Sequence, residues 1–162
     1  METTPGSLGH ALDPKSSISS ARVDFHFNVE HRLHYACRVV RKARAAGKTV
    51  LAFTRDADRL ARFDAALWTF SALDFIPHVY ADAPLADVTP VLLTSTPVDV
   101  ARQILLALDD APAPDFSAWF PKFDRVIDVV SRDEAERDHA RTRFKLYRDS
   151  GLTPAHHDMG SA

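Results

Sequence analysis

Two short runs, Val50–Phe53 and Val91–Leu93, contain no polar residue. A strand with one wet face alternates apolar and polar residues, so a run that is apolar at every position suits a strand covered on both sides, as in a parallel sheet. Around these runs the hydrophobic period switches between two and about 3.6. Val23, Phe25 and Phe27 alternate with Asp24 and His26, which predicts a strand. Leu33, Ala36, Cys37, Val40 and Ala43 then recur at helical steps, and Gly47 stands where a left-handed cap belongs. Leu60, Phe63 and Leu67 repeat the helical pattern across residues 55–68, with Thr54 as the candidate N-cap. Residues 75–81, 89–95, 102–109 and 125–131 are further strand candidates, and Pro77 bars the first of these from a central ladder. Residues 115–123 read as an aromatic turn, and residues 133–150 as a final helix closed by Gly151. Strands alternating with helices predict one three-layer α/β/α domain, Rossmann-like, with a largely parallel sheet.

The ends read differently. Residues 1–20 are rich in Ser, Thr, Gly and Pro and carry almost no apolar period, which predicts a disordered extension ahead of a domain at 21–152. The stretch from Thr153, TPAHHDMGSA, predicts a flexible tail. No apolar run approaches the roughly 18–20 residues that span a bilayer. Cys37 is the only cysteine, so no intrachain disulfide can form, which suits a reducing cytoplasm. Its place on an apolar helical stripe makes it a small buried hydrophobe rather than a nucleophile.

The net charge of −2 excludes a global field that would drive the chain onto nucleic acid or membrane, so electrostatic recognition must be local. A doubly wound sheet invites a nucleotide, but neither G-x-G-x-x-G nor G-x-x-x-x-G-K-[ST] is present, and no cofactor is expected. His31 and His34 lie one helical turn apart with His26 on the preceding strand, yet H-E-x-x-H is absent and the pair reads as a solvated face. His156 and His157 fall in the predicted flexible tail. Asp109 and Asp110 read as a strand-end turn, not an acid–base pair. No metal and no catalytic residue is assigned.

The final helix carries the clearest local signal. At about 100° per residue, Arg141, Phe144 and Arg148 fall within roughly 40° of Arg137, and Lys145 lies about 80° away. A basic stripe that contains an aromatic suits a ligand with several negative charges and an apolar anchor. Single-stranded nucleic acid fits, through stacked bases and phosphates on Arg. So does an acidic peptide ending in an aromatic residue, its carboxylates on Arg. The net charge and the short stripe favour the peptide.

Three stretches, ARVDFHFNVEHRLHYACRVVRKARAAGKTV, LWTFSALDFIPHVYAD and RVIDVVSRDEAERDHARTRFKLYRDSGL, together resemble the chi subunit family of the bacterial DNA polymerase III holoenzyme, over roughly Arg22 to His157. The resemblance implies a non-catalytic accessory subunit of the replisome. It implies attachment to the clamp loader through the psi subunit, and binding of the acidic C-terminal tail of single-stranded-DNA-binding protein (SSB), which ends in phenylalanine. Carried over residue by residue, it assigns Trp68 and Phe75 to the apolar part of the tail site, with Trp68 at the surface. Val130 is the strand-end residue, Arg137 and Arg141 the basic positions, and Phe144 and Lys145 the aromatic–lysine pair. Arg137 replaces a familiar lysine, Phe144 a familiar tyrosine, and Ser131 a proline found in some relatives. The expectation is therefore a link between the clamp loader and SSB-coated single-stranded DNA. A direct single-stranded nucleic-acid binder is the alternative.

Overall fold

The computed structural model describes residues 21–73 and 75–160. The predicted disordered extension lies outside them. The described residues form seven strands: β1 (Arg22–Val29), β2 (Val50–Phe53), β3 (His78–Tyr80), β4 (Val91–Thr94), β5 (Ile104–Ala107), β6 (Arg125–Ser131) and β7 (Thr153–Asp158). Four α-helices accompany them among the described residues: α1 (Arg32–Ala45), α2 (Ala57–Thr69), α3 (Phe116–Trp119) and α4 (Glu134–Asp149). The strands form one sheet in the order β3-β4-β2-β5-β6-β1-β7, and every pairing is parallel. This is the expected three-layer α/β architecture.

The unbroken apolar runs behave as predicted. Val50 and Ala52 face one core with Ala36, Cys37 and Val40 of α1 and Leu60, Phe63 and Leu67 of α2. Leu51 and Phe53 face the other with Trp119, Phe120, Ala140 and Tyr147. The aromatic stretch at 115–123 is thus core material: α3 and a 3-10 turn at Phe120–Lys122 press Trp119, Phe120 and Phe123 onto the sheet. Cys37 is fully buried, and burial pushes its thiol up to about 12, which leaves it inert.

Gly47 takes the predicted left-handed conformation, φ 77°, with its N–H on the Arg44 carbonyl. The start of α2 differs from the reading. Asp56, not Thr54, caps it by accepting from the Arg59 amide at 3.0 Å, while the Thr54 hydroxyl accepts from the Asp56 amide. An Asp two residues nearer the helix reaches the third helical N–H, which Thr54 cannot.

The predicted flexible tail is corrected. Thr153–Asp158 is the edge strand β7, paired with β1 residue for residue from Arg22↔Thr153 to Phe27↔Asp158. Its residues are exposed or half-buried without alternation, so the strand carries no hydrophobic signature. Side chains pin it instead: His157 to Asp24 at 2.9 Å and Asn28 to Asp158 at 3.0 Å. Pro154 is tolerated because the outer strand has a free edge.

Carboxyl ends of parallel strands usually frame a ligand crevice. Here arginines fill the part beyond β2, β5 and β6, while a cavity of about 360 Å³ opens beyond β3 and β4. Arg32 donates to the Val129 carbonyl, to the Asp109 carbonyl and to the Asp110 carboxylate. Arg59 reaches the Leu108 carbonyl and Asp110, and Arg55 reaches Asp109. Arg143 grips Asp128 with two bonds of 3.0 and 2.7 Å and donates to the Asp110 carbonyl. Burial pushes the Asp110 carboxyl up, but Arg32 and Arg59 outweigh it and hold it below its ordinary value. Asp109 and Asp110 are anchors at a strand-end turn, as their spacing suggested.

Arg143 and Asp128 are both almost completely buried. Arg143→Leu strands the Asp128 charge and should cost about 3–5 kcal/mol, whereas Arg143→Leu with Asp128→Leu should recover most of that loss. Urea unfolding of the three proteins checks this.

His26 lies between the Tyr35 hydroxyl, 2.7 Å away, and the His157 ring. Burial first, then the Arg125 charge and the neighbouring His157 ring, depress it from 6.5 to about 4. The unfolded chain therefore takes up this proton earlier than the folded one, and stability falls as pH drops from about 6.5 to about 4. His26→Phe should remove roughly 1–2 kcal/mol of that acid-side loss, after allowance for partial exposure. Equal unfolding profiles across this window would contradict it.

Candidate functional site

The second face of the sheet holds a cavity of about 450 Å³ beside α4. Phe25 and Phe27 of β1, Val130 of β6, Ala140 and Phe144 of α4 and His156 of β7 line it together with Arg137, Arg141, Lys145 and Arg148. The apolar floor follows from strand parity. Phe25 and Phe27 share a face of β1, and His156 pairs opposite Phe25 on β7. Phe144 packs on Phe25 with ring centroids 5.4 Å apart, and the His156 ring stands edge-on to Phe144 at 4.5 Å and to Phe27 at 5.8 Å.

The basic rim follows from helix phase. Asp133 caps α4 by accepting from the Glu136 amide, and the Glu136 carboxylate accepts from the Ser131 amide, which fixes the turn out of β6. Arg143 points inward to Asp128, so the opposite stripe faces the cavity. Arg137, Arg141, Phe144, Lys145 and Arg148 therefore line one pocket, as their angular spacing predicted. Arg141 pairs with Asp138, and Lys145 and Arg148 with Asp149. These are exposed, short-range pairs worth only about 0.3–0.5 kcal/mol, readily exchanged for a ligand carboxylate.

Trp68 and Phe75 are not part of this pocket. Trp68 ends α2 on the other face of the sheet, beside edge strand β3. Its ring lies 5.7 Å from Phe75 and 4.4 Å from His78, whose Nε2 is bonded to Asp64. Five strand intervals separate β3 from β1. At about 4.8 Å each, that is roughly 24 Å, with the sheet between. One phenyl ring cannot touch both places, so the composite slot of Trp68, Phe75, Val130 and Phe144 is corrected. Trp68 is 53% exposed, Phe75 71% and Leu73 95%, which makes a separate apolar surface patch.

Phe25, Phe27, Ala140 and His156 escaped the sequence reading as pocket residues. Phe25 and Phe27 were legible as one strand face, but nothing said that α4 leaves part of that face open. His156 was hidden because β7 itself was. Among the described residues no group of His, Cys, Asp and Glu is disposed to hold a metal, and no helix is long and apolar enough to cross a membrane.

Comparison with known proteins places the chain in a family. Residues 21–155 match the family model described as DNA polymerase III chi subunit, HolC. The chain is 33% identical over 142 residues to DNA polymerase III subunit chi of Pseudomonas aeruginosa, covering 85% of this chain and 96% of that one. It is 30% identical over 122 residues to the subunit of the same name from Escherichia coli, covering 72% and 78%. The Haemophilus influenzae subunit is 27% identical over 126 residues, covering 77% and 85%. A match across nearly the whole described chain, on an all-parallel sheet whose last helix carries the basic aromatic stripe, establishes that the chain belongs to the DNA polymerase III chi subunit family.

Proposed function

We propose that the α4 pocket receives the acidic C-terminal tail of SSB, and that the protein links this tail to the clamp loader as a non-catalytic, replisome-associated subunit in the cytoplasm. The observation that carries the reading is the pairing of an aromatic floor with a rim of four cations in one cavity. A terminal phenylalanine supplies the ring for the floor. Its α-carboxylate and the acidic residues before it supply acceptors for the rim, where Arg can donate two parallel bonds. Val130 and Phe144 would flank the ring; Arg137, Arg141, Lys145 and Arg148 would hold the carboxylates; His156 would close the far wall.

A link needs a second, non-overlapping surface. The patch of Trp68, Leu73 and Phe75 supplies one, since exposed aromatic clusters mark protein contacts. We assign it to the loader side, with psi as the partner. Through the tail pocket the clamp loader is linked to DNA that SSB coats.

Calorimetry separates the two surfaces. Arg141→Glu should weaken binding of a tail peptide by about tenfold or more, because it removes a donor and adds like-charge repulsion. Trp68→Ala should leave tail affinity within about twofold and weaken psi by about tenfold, as loss of an aromatic anchor does. Equal tail affinity for native and Arg141→Glu protein would overturn the tail reading, and tail loss in Trp68→Ala would overturn the division of surfaces.

A further inference from the structure

Helix α1 departs from the charge pattern of its neighbours. On α2, Arg62 is matched by Asp58, and on α4, Arg141 is matched by Asp138 and Lys145 by Asp149. Residues 32–49, which contain α1 and its cap, hold Arg32, Arg38, Arg41, Lys42, Arg44 and Lys48 and no carboxylate at all. Arg32 is buried on Asp110, but the others lie on the outside of the helix or at its end. At about 100° per residue, His34, Arg38, Arg41 and Lys42 share one stripe roughly 100° wide. Arg38 and Lys42 are an exposed like-charge pair at i,i+4, which costs helix stability. The first turn holds no acid where the helix dipole would favour one.

Among the described residues, the nearby carboxylates do not pair with Arg38 or Lys42. Asp64 of α2 is turned to His78, and Asp58 to Arg62. Glu30 sits by His31 at the helix start. Arg38, Lys42 and Lys48 have no ion-pair partner among the described residues. Towards β1 the positive region continues, because Arg22 and Arg125 share the single carboxylate of Asp24 with His157. Aromatic rings border the stripe: the Arg38 guanidinium lies 5.5 Å from the Tyr35 ring centre and that of Arg41 5.4 Å from Phe70.

We infer that the outer face of α1 is a contact surface for single-stranded DNA, centred on Arg38 and Lys42. A row of cations one helical turn apart meets successive phosphates without reading sequence. Half-buried rings beside them suit unpaired bases, which a duplex keeps stacked inside. This surface lies on the opposite face of the sheet from the α4 pocket, so DNA and a peptide in that pocket can be held together. The inference does not rest on the tail assignment.

The test is fluorescence anisotropy of the full chain with a labelled oligothymidine of roughly 20 nucleotides, at several salt concentrations. Native protein should bind, and affinity should fall with salt at a log–log slope of about −2 to −3, as for three or four neutralised phosphates of a single strand. Arg38→Glu with Lys42→Glu should lose about tenfold or more, and Arg38→Gln with Lys42→Gln an intermediate amount. Lys122→Glu, an exposed change on the other face of the sheet and outside the α4 pocket, should bind as native protein does. Circular dichroism melts establish that each variant is folded. No binding by native protein at low salt, or equal binding by the α1 variants, would overturn the inference. So would tighter binding of a duplex of the same length, or of polyglutamate, which would point to duplex DNA or an acidic protein instead.

Discussion

The buried pair of Arg143 and Asp128 sets the geometry on which the pocket depends. Two parallel hydrogen bonds tie the middle of α4 to the middle of β6. A third bond, to the Asp110 carbonyl, ties the same guanidinium to the turn after β5. A helix held at one inward residue has its rotation fixed, and the stripe on its other side follows. That is how a helix with mean character far from apolar still packs tightly: Ala140, Arg143 and Tyr147 go inward, and the charged residues stay out. A planar guanidinium suits this role because one side chain can satisfy several acceptors in a dry place.

The same device recurs across the carboxyl edge of the sheet. Arg32, Arg55 and Arg59 bind carbonyls and carboxylates at strand ends where parallel α/β sheets commonly hold a ligand. The α4 cavity lies instead on the flank, where β1 and β7 supply Phe25, Phe27 and His156 to its wall. β7 is therefore more than an edge. It supplies His156 to the pocket wall on one face and His157 to Asp24 on the other, so one dipeptide joins the pocket to the sheet.

Much of the fold was legible because period and burial are directly coupled. The wholly apolar runs at Val50–Phe53 and Val91–Leu93 are central strands, and the helical repeats at Ala36–Val40 and Leu60–Leu67 are the buried stripes of α1 and α2. The alignment of Arg137, Arg141, Phe144, Lys145 and Arg148 was legible for the same reason, since a single helix fixes their relative angles. What lay between elements was not. β7 is held by polar side chains and backbone pairing, so no hydrophobic period announces it. Nor could local sequence say that Trp68 and Val130 stand on opposite faces of the sheet. That depends on strand order, which is set by crossovers and not by the residues themselves.

Separation of two surfaces is the central claim: acidic tail on the α4 flank, apolar patch at the β3 edge. Backbone amide chemical-shift mapping of labelled protein, titrated with a peptide of acidic residues ending in phenylalanine, tests it most directly. The account predicts saturable shifts at Val130, Ala140, Phe144 and His156 and along β7, with Trp68, Phe75 and His78 unmoved. Shifts concentrated at Trp68 and Phe75, with α4 unchanged, would contradict it.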